Sequence, residues 1–207
     1  DSPQKIKQES DLPDHIPVSK NPDVSWADAC KMLDDDQLAV LAAALAGHNL
    51  LIVGGPGAGK SLLVNVIHAM TRLPRTATTH AACTVLNASA PKELLNHMLD
   101  CVRTFYAHLG VGLLKESTKV IIRNIRARTD VLKRWTAPEA GLIIDECSML
   151  NATILEKLHR IACILRNSND VMGGMQIILV GDFGQLPPFT ERNTAIQFLF
   201  NSRFMAC

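Results

Sequence analysis

The chain has 207 residues, with 21 Lys or Arg, 20 Asp or Glu and a net charge of +1. Its length suits one α/β domain with some additional chain. A composition that is 47% hydrophobic and 20% charged excludes a disordered protein, and the balanced charge gives no general sign of nucleic-acid binding. No apolar run reaches the roughly 20 residues that span a bilayer, so we expect no membrane association. Six cysteines without a C-x-x-C pair favour a reducing compartment.

The first part of the chain is rich in Pro, Asp, Ser and Lys, and residues 1–32 are predicted to be a flexible lead-in. Asp34 is predicted to cap the first helix, with Asp35 and Asp36 in its positive first turn and Gly47 at its end. The chain begins at Asp1 rather than Met. We therefore expect a fragment of a longer protein rather than a natural short paralogue.

Apolar runs that alternate with helical patterns predict the architecture of residues 33–207. Strands are predicted at 49–53, 75–79, 141–144 and 175–180, and helices at 60–72 and 152–166. Residues 80–140 are predicted to be mostly helical, and the spacing of Leu94, Met98 and Val102 predicts an inserted helix within 83–103. This alternation predicts an α/β fold, a parallel sheet with helices on both faces.

Residues 54–61 match the phosphate-loop pattern G-x-x-x-x-G-K-[ST], between an apolar strand and a helix. Backbone N–H groups of such a loop curl around phosphate oxygens and need glycine flexibility. Lys60 is expected to reach the β- and γ-phosphates, and the Ser61 hydroxyl to ligate Mg²⁺. A glycine-rich turn with a surface lysine is the alternative, which the strand–loop–helix context disfavours. The nucleotide-binding backbone is expected from Gly55, Gly57, Ala58 and Gly59.

Asp145 and Glu146 follow directly after a buried strand. Ligands of parallel sheets bind beyond the carboxyl ends of the strands, so Asp145 is expected to hold Mg²⁺ through water beside the loop. Glu146 is expected to act as the general base on the attacking water, which favours hydrolysis over a binding switch. Two solvated acids that open a helix are the alternative.

The last predicted strand leads into Gly-Asp-Phe-Gly-Gln-Leu-Pro-Pro at 181–188. This order places Gln185 at the same edge of the sheet, where it is expected to contact the γ-phosphate. A plain strand-to-turn connection is the alternative, and two prolines stiffen the exit in either case.

Residues 181–188 resemble motif III of the PIF (petite integration frequency) family of superfamily 1B DNA helicases. Residues 142–150 are similar to the family's motif II, and residues 33–61 to its Q motif and motif I, so the resemblance covers roughly 33–205. It implies a RecA-like, P-loop NTPase domain over 33–207 that binds ATP and Mg²⁺, in which Gln37 reads the adenine.

The resemblance also implies an activity: ATP-driven 5′→3′ translocation on single-stranded DNA and unwinding of duplexes, forks and G-quadruplexes by a monomer. It implies a nuclear or mitochondrial role in DNA repair, recombination and telomere maintenance. A second RecA-like domain of the same polypeptide supplies arginines to the γ-phosphate in the family, and no segment here matches it. Such arginines are worth about 10³–10⁵ in rate, so the chain alone is expected to bind nucleotide, hydrolyse it feebly and not unwind DNA.

DNA contacts are implied by two further segments, both of which depart from the family's pattern. Thr78, Thr79 and His80 occupy motif Ia, where His80 replaces a glycine; a DNA contact and an ordinary core or surface histidine are both open for it. Tyr106 and His108 stand where the family has a T-L-H-S-F-like segment, and Tyr106 is expected to stack on a base.

The stretch 115–135 carries seven Lys or Arg against two acids. Lys119, Arg123 and Arg126 fall on one helical face, which we interpret as solvated rather than as a phosphate-binding patch. Trp135 is predicted to anchor the core.

Two other functions compete with the helicase motor domain. A non-catalytic nucleotide-binding regulatory module would explain the missing second domain and the altered motif Ia. A ring-forming P-loop ATPase is disfavoured by Gln185 and the two prolines that follow it.

Overall fold

The computed structural model describes residues 18–97 and 101–182. Within them, five strands form one sheet in the order β1-β5-β4-β2-β3, and every pairing is parallel. The strands are β1 (Leu50–Val53), β2 (Arg75–Ala77), β3 (Arg103–Thr104), β4 (Gly141–Asp145) and β5 (Gln176–Gly181). The helices are α1 (Trp26–Cys30), α2 (Asp35–Leu45), α3 (Lys60–Thr71), α4 (His80–Ala88), α5 (Phe105–Leu109), α6 (Thr118–Arg126), α7 (Thr129–Thr136) and α8 (Ala152–Arg166).

The helices cover both faces of the sheet, as the sequence predicts. Successive strand residues point to opposite faces, and the two central strands divide their side chains accordingly. Ile143 and Ile178 pack in the core with α1–α4, whereas Leu142, Ile144 and Ile177 pack in the core with α5–α8. A strand buried on both faces reads as a continuous apolar run, which is the pattern that predicts β4 and β5.

All five strands end at the same edge because all are parallel. The register aligns Val53 of β1 with Gly181 of β5, and Ala77 of β2 with Asp145 of β4. The segments that follow these strands are therefore neighbours.

Local signals place the helix termini as predicted. Asp34 is the N-cap of α2, where its carboxylate accepts a hydrogen bond from the N–H of Gln37. Asn151 caps α8 in the same way through the N–H of Ile154. Trp135 is fully buried, and its indole Nε1 donates to the carbonyl of Leu109 at 2.9 Å, which confirms it as a core anchor.

The predicted flexible lead-in over 1–32 is wrong for the residues that the structure describes there. Residues 18–32 pack onto α3, and Asn21 is 1% exposed with its Nδ2 donating to the carbonyl of Ala69 at 2.8 Å. Ser25 and Asp28 form a capping box around α1, which buries Trp26. A polar segment is thus held by buried hydrogen bonds that its composition does not reveal.

The predicted inserted helix within 83–103 is also wrong. α4 ends at Ala88, a 3-10 turn spans Lys92–His97, and Val102 is buried just before the short strand β3. Leu94 is buried, whereas Met98 lies outside the described residues. The apolar spacing of this segment therefore reflects two separate contacts with the core, one through Leu94 and one through Val102.

In the described part of the chain, no helix has the length and apolarity to cross a membrane.

Candidate functional site

The loop between β1 and α3 has a backbone that glycine makes accessible. Gly57 and Gly59 have φ of +78° and +74°, a region that costs little only for glycine. A Cβ on Gly59 would lie 2.6 Å from Nε2 of Gln37, while Gly55 and Gly57 face open space. The loop thus presents bare backbone outward, as a cradle for phosphate oxygens requires.

α3 begins directly at the end of this loop. Gly59 is its N-cap and provides no side-chain hydrogen bond, so no side chain competes for the amide donors of the first turn. These donors and the helix dipole favour an anion at this point. The Nζ of Lys60 donates to the carbonyls of Gly54 and Gly55 at 2.6 and 2.8 Å, which places the ammonium over the loop.

Gln37 links α2 to the same loop. Its Oε1 accepts from the backbone N–H of Asp34 at 3.3 Å, and its Nε2 donates to the carbonyl of Ala58 at 3.3 Å. The side chain therefore completes a capping box and also borders the loop.

Asp145 is the last residue of β4, two strands from β1 in the sheet, and Glu146 follows it directly. Oδ1 of Asp145 accepts from the N–H of Glu146 at 2.9 Å. Burial raises the pKa of Asp145, the charge of Glu146 raises it further, and the charge of Lys60 lowers it. Only β5 separates the loop after β1 from the acidic pair after β4, so Lys60 and Asp145 lie at the same edge of the sheet.

Thr78 holds the acidic turn from the neighbouring strand. Its N–H donates to the carbonyl of Asp145 at 3.3 Å, and its hydroxyl donates to the carbonyl of Glu146 at 3.2 Å. Glu146 has φ of +55°, which is uncommon for a residue with a side chain. The hydrogen bonds from Thr78 hold that conformation, so Thr78, which is 9% exposed, supports the acids rather than presenting its side chain to solvent.

Gly181 and Cys147 lie at this edge of the sheet, and the sequence pattern predicts neither as a site residue. The N–H of Gly54 donates to the carbonyl of Gly181 at 3.3 Å. A Cβ on Gly181 would lie 2.9 Å from Sγ of Cys147, just after the acids. A glycine as the last residue of an apolar strand signals a close approach, and this is the one hint that the sequence offers.

The remaining residues predicted to contact DNA follow β2 and β3. Thr79 caps α4 and His80 begins it, both exposed. Tyr106 and His108 lie on α5, directly after β3, and both are half-buried. The residues predicted to bind the phosphates and Mg²⁺ therefore follow β1, β4 and β5. The four residues predicted to contact DNA follow the neighbouring strands β2 and β3. Gln185 lies outside the described residues, although Asp182 directly follows β5 at the same edge.

A cleft of about 800 Å³ opens beside Tyr106. Its walls include Leu113 and Lys115 from the loop before α6, Asn124 from α6, and Arg128 just after α6. It is separate from the phosphate loop, since no residue of 54–61 lines it.

A parallel sheet with helices on both faces, a glycine loop leading into a helix and an acidic pair at the same edge define a P-loop NTPase domain of the RecA-like type. The model of the PIF1-like helicase family matches residues 32–204. The chain belongs to that family.

Known relatives agree with this assignment. The ATP-dependent DNA helicase PIF5 of Trypanosoma brucei brucei is 36% identical over 161 residues, which cover 78% of this chain and 16% of that protein. The ATP-dependent DNA helicase PIF1 of Danio rerio is 36% identical over 171 residues, covering 83% of this chain and 25% of that protein. This chain thus spans about a quarter or less of the length of these two relatives.

Solved structures show the same fold. The crystal structure of Pif1 helicase from Candida albicans matches with a TM-score of 0.66 and 31% identity over 83% of this chain and 36% of that one. Bacteroides sp Pif1 in complex with ADP-AlF4 matches with a TM-score of 0.62 and 20% identity, over 83% of this chain and 39% of that one.

Proposed function

We propose that this chain is the ATP-binding motor domain of an ATP-dependent DNA helicase. The observation that carries the proposal is the convergence of the loop that holds Lys60 and of Asp145 at one edge of the sheet, because β1 and β4 both pair in parallel with β5 and end on either side of it. A site that hydrolyses a nucleoside triphosphate needs a cation and a glycine loop to bind the phosphates, and acidic residues to hold Mg²⁺ and orient the attacking water.

Each group has a distinct part in ATP hydrolysis. The backbone of 54–61 binds the phosphates, and Lys60 exchanges its two carbonyl partners for β- and γ-phosphate oxygens. Glu146 takes the proton of the attacking water as general base, and Gln185 contacts the γ-phosphate. Gln37 reads the adenine from the position it holds beside Ala58.

The residues at this edge also fit Mg²⁺. The described residues contain no group of three or more His, Cys, Asp or Glu that could hold a metal ion, so an ion bound here would need ligands from the nucleotide or from water. Mg²⁺ is usually held by one or two carboxylates together with substrate phosphates, and Ser61 and Asp145 form such a set, Asp145 through water. The ion, when bound, neutralises charge on the β- and γ-phosphate oxygens.

Single-stranded DNA is proposed to lie across the ends of β2 and β3, in contact with Thr79, His80, Tyr106 and His108. Two solved structures with this fold support DNA as the ligand, although they do not bear on these four residues: one is of Pif1 from Bacteroides in complex with ADP-AlF3 and ssDNA, and the other concerns unwinding at forked dsDNA by two coordinating Pif1 helicases. We propose 5′→3′ movement and unwinding of duplexes, forks and G-quadruplexes by a monomer that includes a second RecA-like domain. Nuclear or mitochondrial DNA is the proposed substrate.

Nucleotide binding tests the first part of the proposal with this chain alone. We expect a fluorescent ATP analogue to bind in the presence of Mg²⁺ and the variant Lys60→Ala to bind at least about tenfold more weakly, a loss of about 1.4 kcal/mol. Lys20→Ala, at an exposed lysine away from the loop, is the matched control. Equal affinity of the Lys60 variant and the wild type would show that the site lies elsewhere.

Turnover tests the second part in a protein that joins this chain to a second RecA-like domain. We expect saturating single-stranded DNA to raise the ATPase rate, because DNA contact across β2 and β3 lies beside the acids that end β4. An ATPase rate that is the same with and without DNA would rule out the helicase assignment while leaving nucleotide binding intact.

A further inference from the structure

α6 carries a row of cations that the ATP site does not use. Lys119, Arg123 and Arg126 are exposed, while Ile121, Ile122 and Ile125 of the same helix are buried. Positions separated by four and three residues share one face of a helix. The three cations, which we call the α6 row, therefore form a straight line about 10 Å long, given a rise of about 1.5 Å per residue.

The α6 row has no carboxylate partner within the described ranges. The ion pairs Lys31–Asp28 and Arg134–Asp130 involve none of the three cations. Residues 115–135 hold seven Lys or Arg and two acids, although the whole chain has a net charge of only +1, so the rest of the chain is net negative. Positive charge is thus concentrated in residues 115–135, and within that stretch the three cations of the α6 row are exposed to solvent.

Helix stability does not explain the whole row. Arg123 and Arg126 lie in the last turn of α6, where cations are favoured by the helix dipole. Lys119 lies in the first turn, where a cation is disfavoured, and that turn contains no acidic residue to compensate. Helix stability therefore accounts for Arg123 and Arg126 but not for Lys119.

The position of the α6 row separates it from the proposed single-strand path. Ile121, Asn124 and Arg128 line the cleft beside Tyr106, and at about 100° per residue they lie on the opposite flank of α6 from the row. α6 also contains no aromatic residue. Grooves for single strands combine cations with aromatic stacking platforms, whereas a duplex keeps its bases stacked internally and presents phosphates alone.

The sequence pattern alone favours a solvated face for these three cations; from their placement in the structure we propose instead that the α6 row is a binding surface for the phosphate backbone of duplex DNA. A duplex carries one negative charge per about 1.7 Å of axis, so a row about 10 Å long faces several phosphates. The contact is independent of base sequence, since phosphate contacts carry no sequence information. The inference rests on the proposed helicase function, for which it identifies where duplex DNA contacts this domain.

The test compares the wild type with the triple variant Lys119→Gln, Arg123→Gln and Arg126→Gln. Binding of a fluorescein-labelled blunt-ended duplex is followed by anisotropy at several salt concentrations. We expect the slope of log K against log salt to become shallower by about three in the variant, one for each lost phosphate contact. Lys119→Gln alone is expected to weaken binding without lowering the melting temperature, which a structural role for Lys119 does not predict.

The matched control removes the same charge from the opposite face of the sheet. Lys20, Lys31 and Lys92 are exposed and lie beside α1 and α3, and their change to Gln should leave the salt slope within about one of the wild type. Equal losses in both triple variants, an unchanged slope in the α6 variant, or tighter binding of an acidic peptide than of the duplex would each overturn the proposal. Binding of the ATP analogue is measured on every variant, so a failure of the nucleotide site is seen separately.

Discussion

The backbone N–H of Gly54 donates a 3.3 Å hydrogen bond to the carbonyl of Gly181. The bond joins the start of the phosphate loop to the end of β5, and the other side of Gly181 touches the turn that follows the acidic pair. One residue thus connects the loop, the acids and the segment that leads to Gln185.

Gly181→Ala is expected to disturb the phosphate loop, the acidic pair and the segment that follows β5. The new Cβ would lie 2.9 Å from Sγ of Cys147 and 3.2 Å from the backbone nitrogen of Ser148, and overpacking of this kind costs about 1–3 kcal/mol. Urea unfolding should show that loss, together with weaker binding of the ATP analogue. The double variant with Cys147→Ala should recover part of both, and no recovery would mean that the sulfur contact is not the cause.

Asp145→Asn should stabilise the chain near neutral pH while weakening Mg-ATP binding. Burial raises the pKa of Asp145 above its usual 3.8, so its favourable contribution is present below that value and is lost as pH rises through the folded pKa. Asparagine carries no charge to desolvate and keeps the oxygen that accepts from the N–H of Glu146.

Thermal unfolding as a function of pH checks this. The gain of the variant should shrink towards zero as the pH is lowered below the pKa of Asp145, and Asp23→Asn, at an exposed position, should show no such gain. A variant that is less stable than the wild type at pH 7 would contradict the proposed cost of the buried charge.

Cys147 is expected to be unreactive although it lies beside the proposed site. Burial raises the pKa of its thiol from 9.0 to about 12, with further contributions from the charges of Asp145 and Glu146. Iodoacetamide at pH 8, with the labelled sites identified by mass spectrometry, should modify the exposed Cys30 and Cys101 well before Cys147. Labelling of all three at similar rates in the folded chain would refute the burial argument.

The same thiol predicts a loss of stability at alkaline pH. The folded state favours the protonated thiol, so the contribution of Cys147 is complete below pH 9 and is lost between 9 and about 12. Cys147→Ala should flatten this part of the pH profile relative to the wild type, and an unchanged profile would assign the loss to other groups.

Gln37→Ala should reduce the preference for adenine nucleotides over guanine nucleotides. The variant also loses the hydrogen bonds to Asp34 and Ala58, each of which is expected to contribute about 0.5–1.5 kcal/mol to stability. Competition of ATP and GTP against the fluorescent analogue separates the effects, because a stability loss alone weakens both nucleotides equally. Unchanged selectivity would remove Gln37 from the base site.

Local signals account for the parts of this fold that the sequence predicts well. Asp34 marks the start of α2 and Asn151 that of α8, and the apolar run 142–144 predicts β4. In each case the determining interaction spans only a few residues, so the pattern is visible in the sequence. The loop at 54–61 is predictable for the same reason.

Long-range contacts account for what the sequence misses. Asn21 is ordered by Ala69 and by Arg72, 48 and 51 residues away, and no local pattern announces such bonds. β3 has two residues and exists because it pairs with β2. The packing of Gly181 on Cys147 depends on the approach of two strand ends, which periodicity does not encode.

The central claim is that the loop at 54–61 and the acids at 145–146 hold one triphosphate. A crystal structure of the chain with Mn²⁺ and a non-hydrolysable ATP analogue tests it most directly, since anomalous scattering locates the ion. We predict that the ion lies about 2 Å from Oγ of Ser61 and that a water molecule bridges it to the carboxylate of Asp145. The Nζ of Lys60 should contact the β- and γ-phosphates. An analogue bound away from the loop, or an ion coordinated without Ser61 and Asp145, would contradict the account.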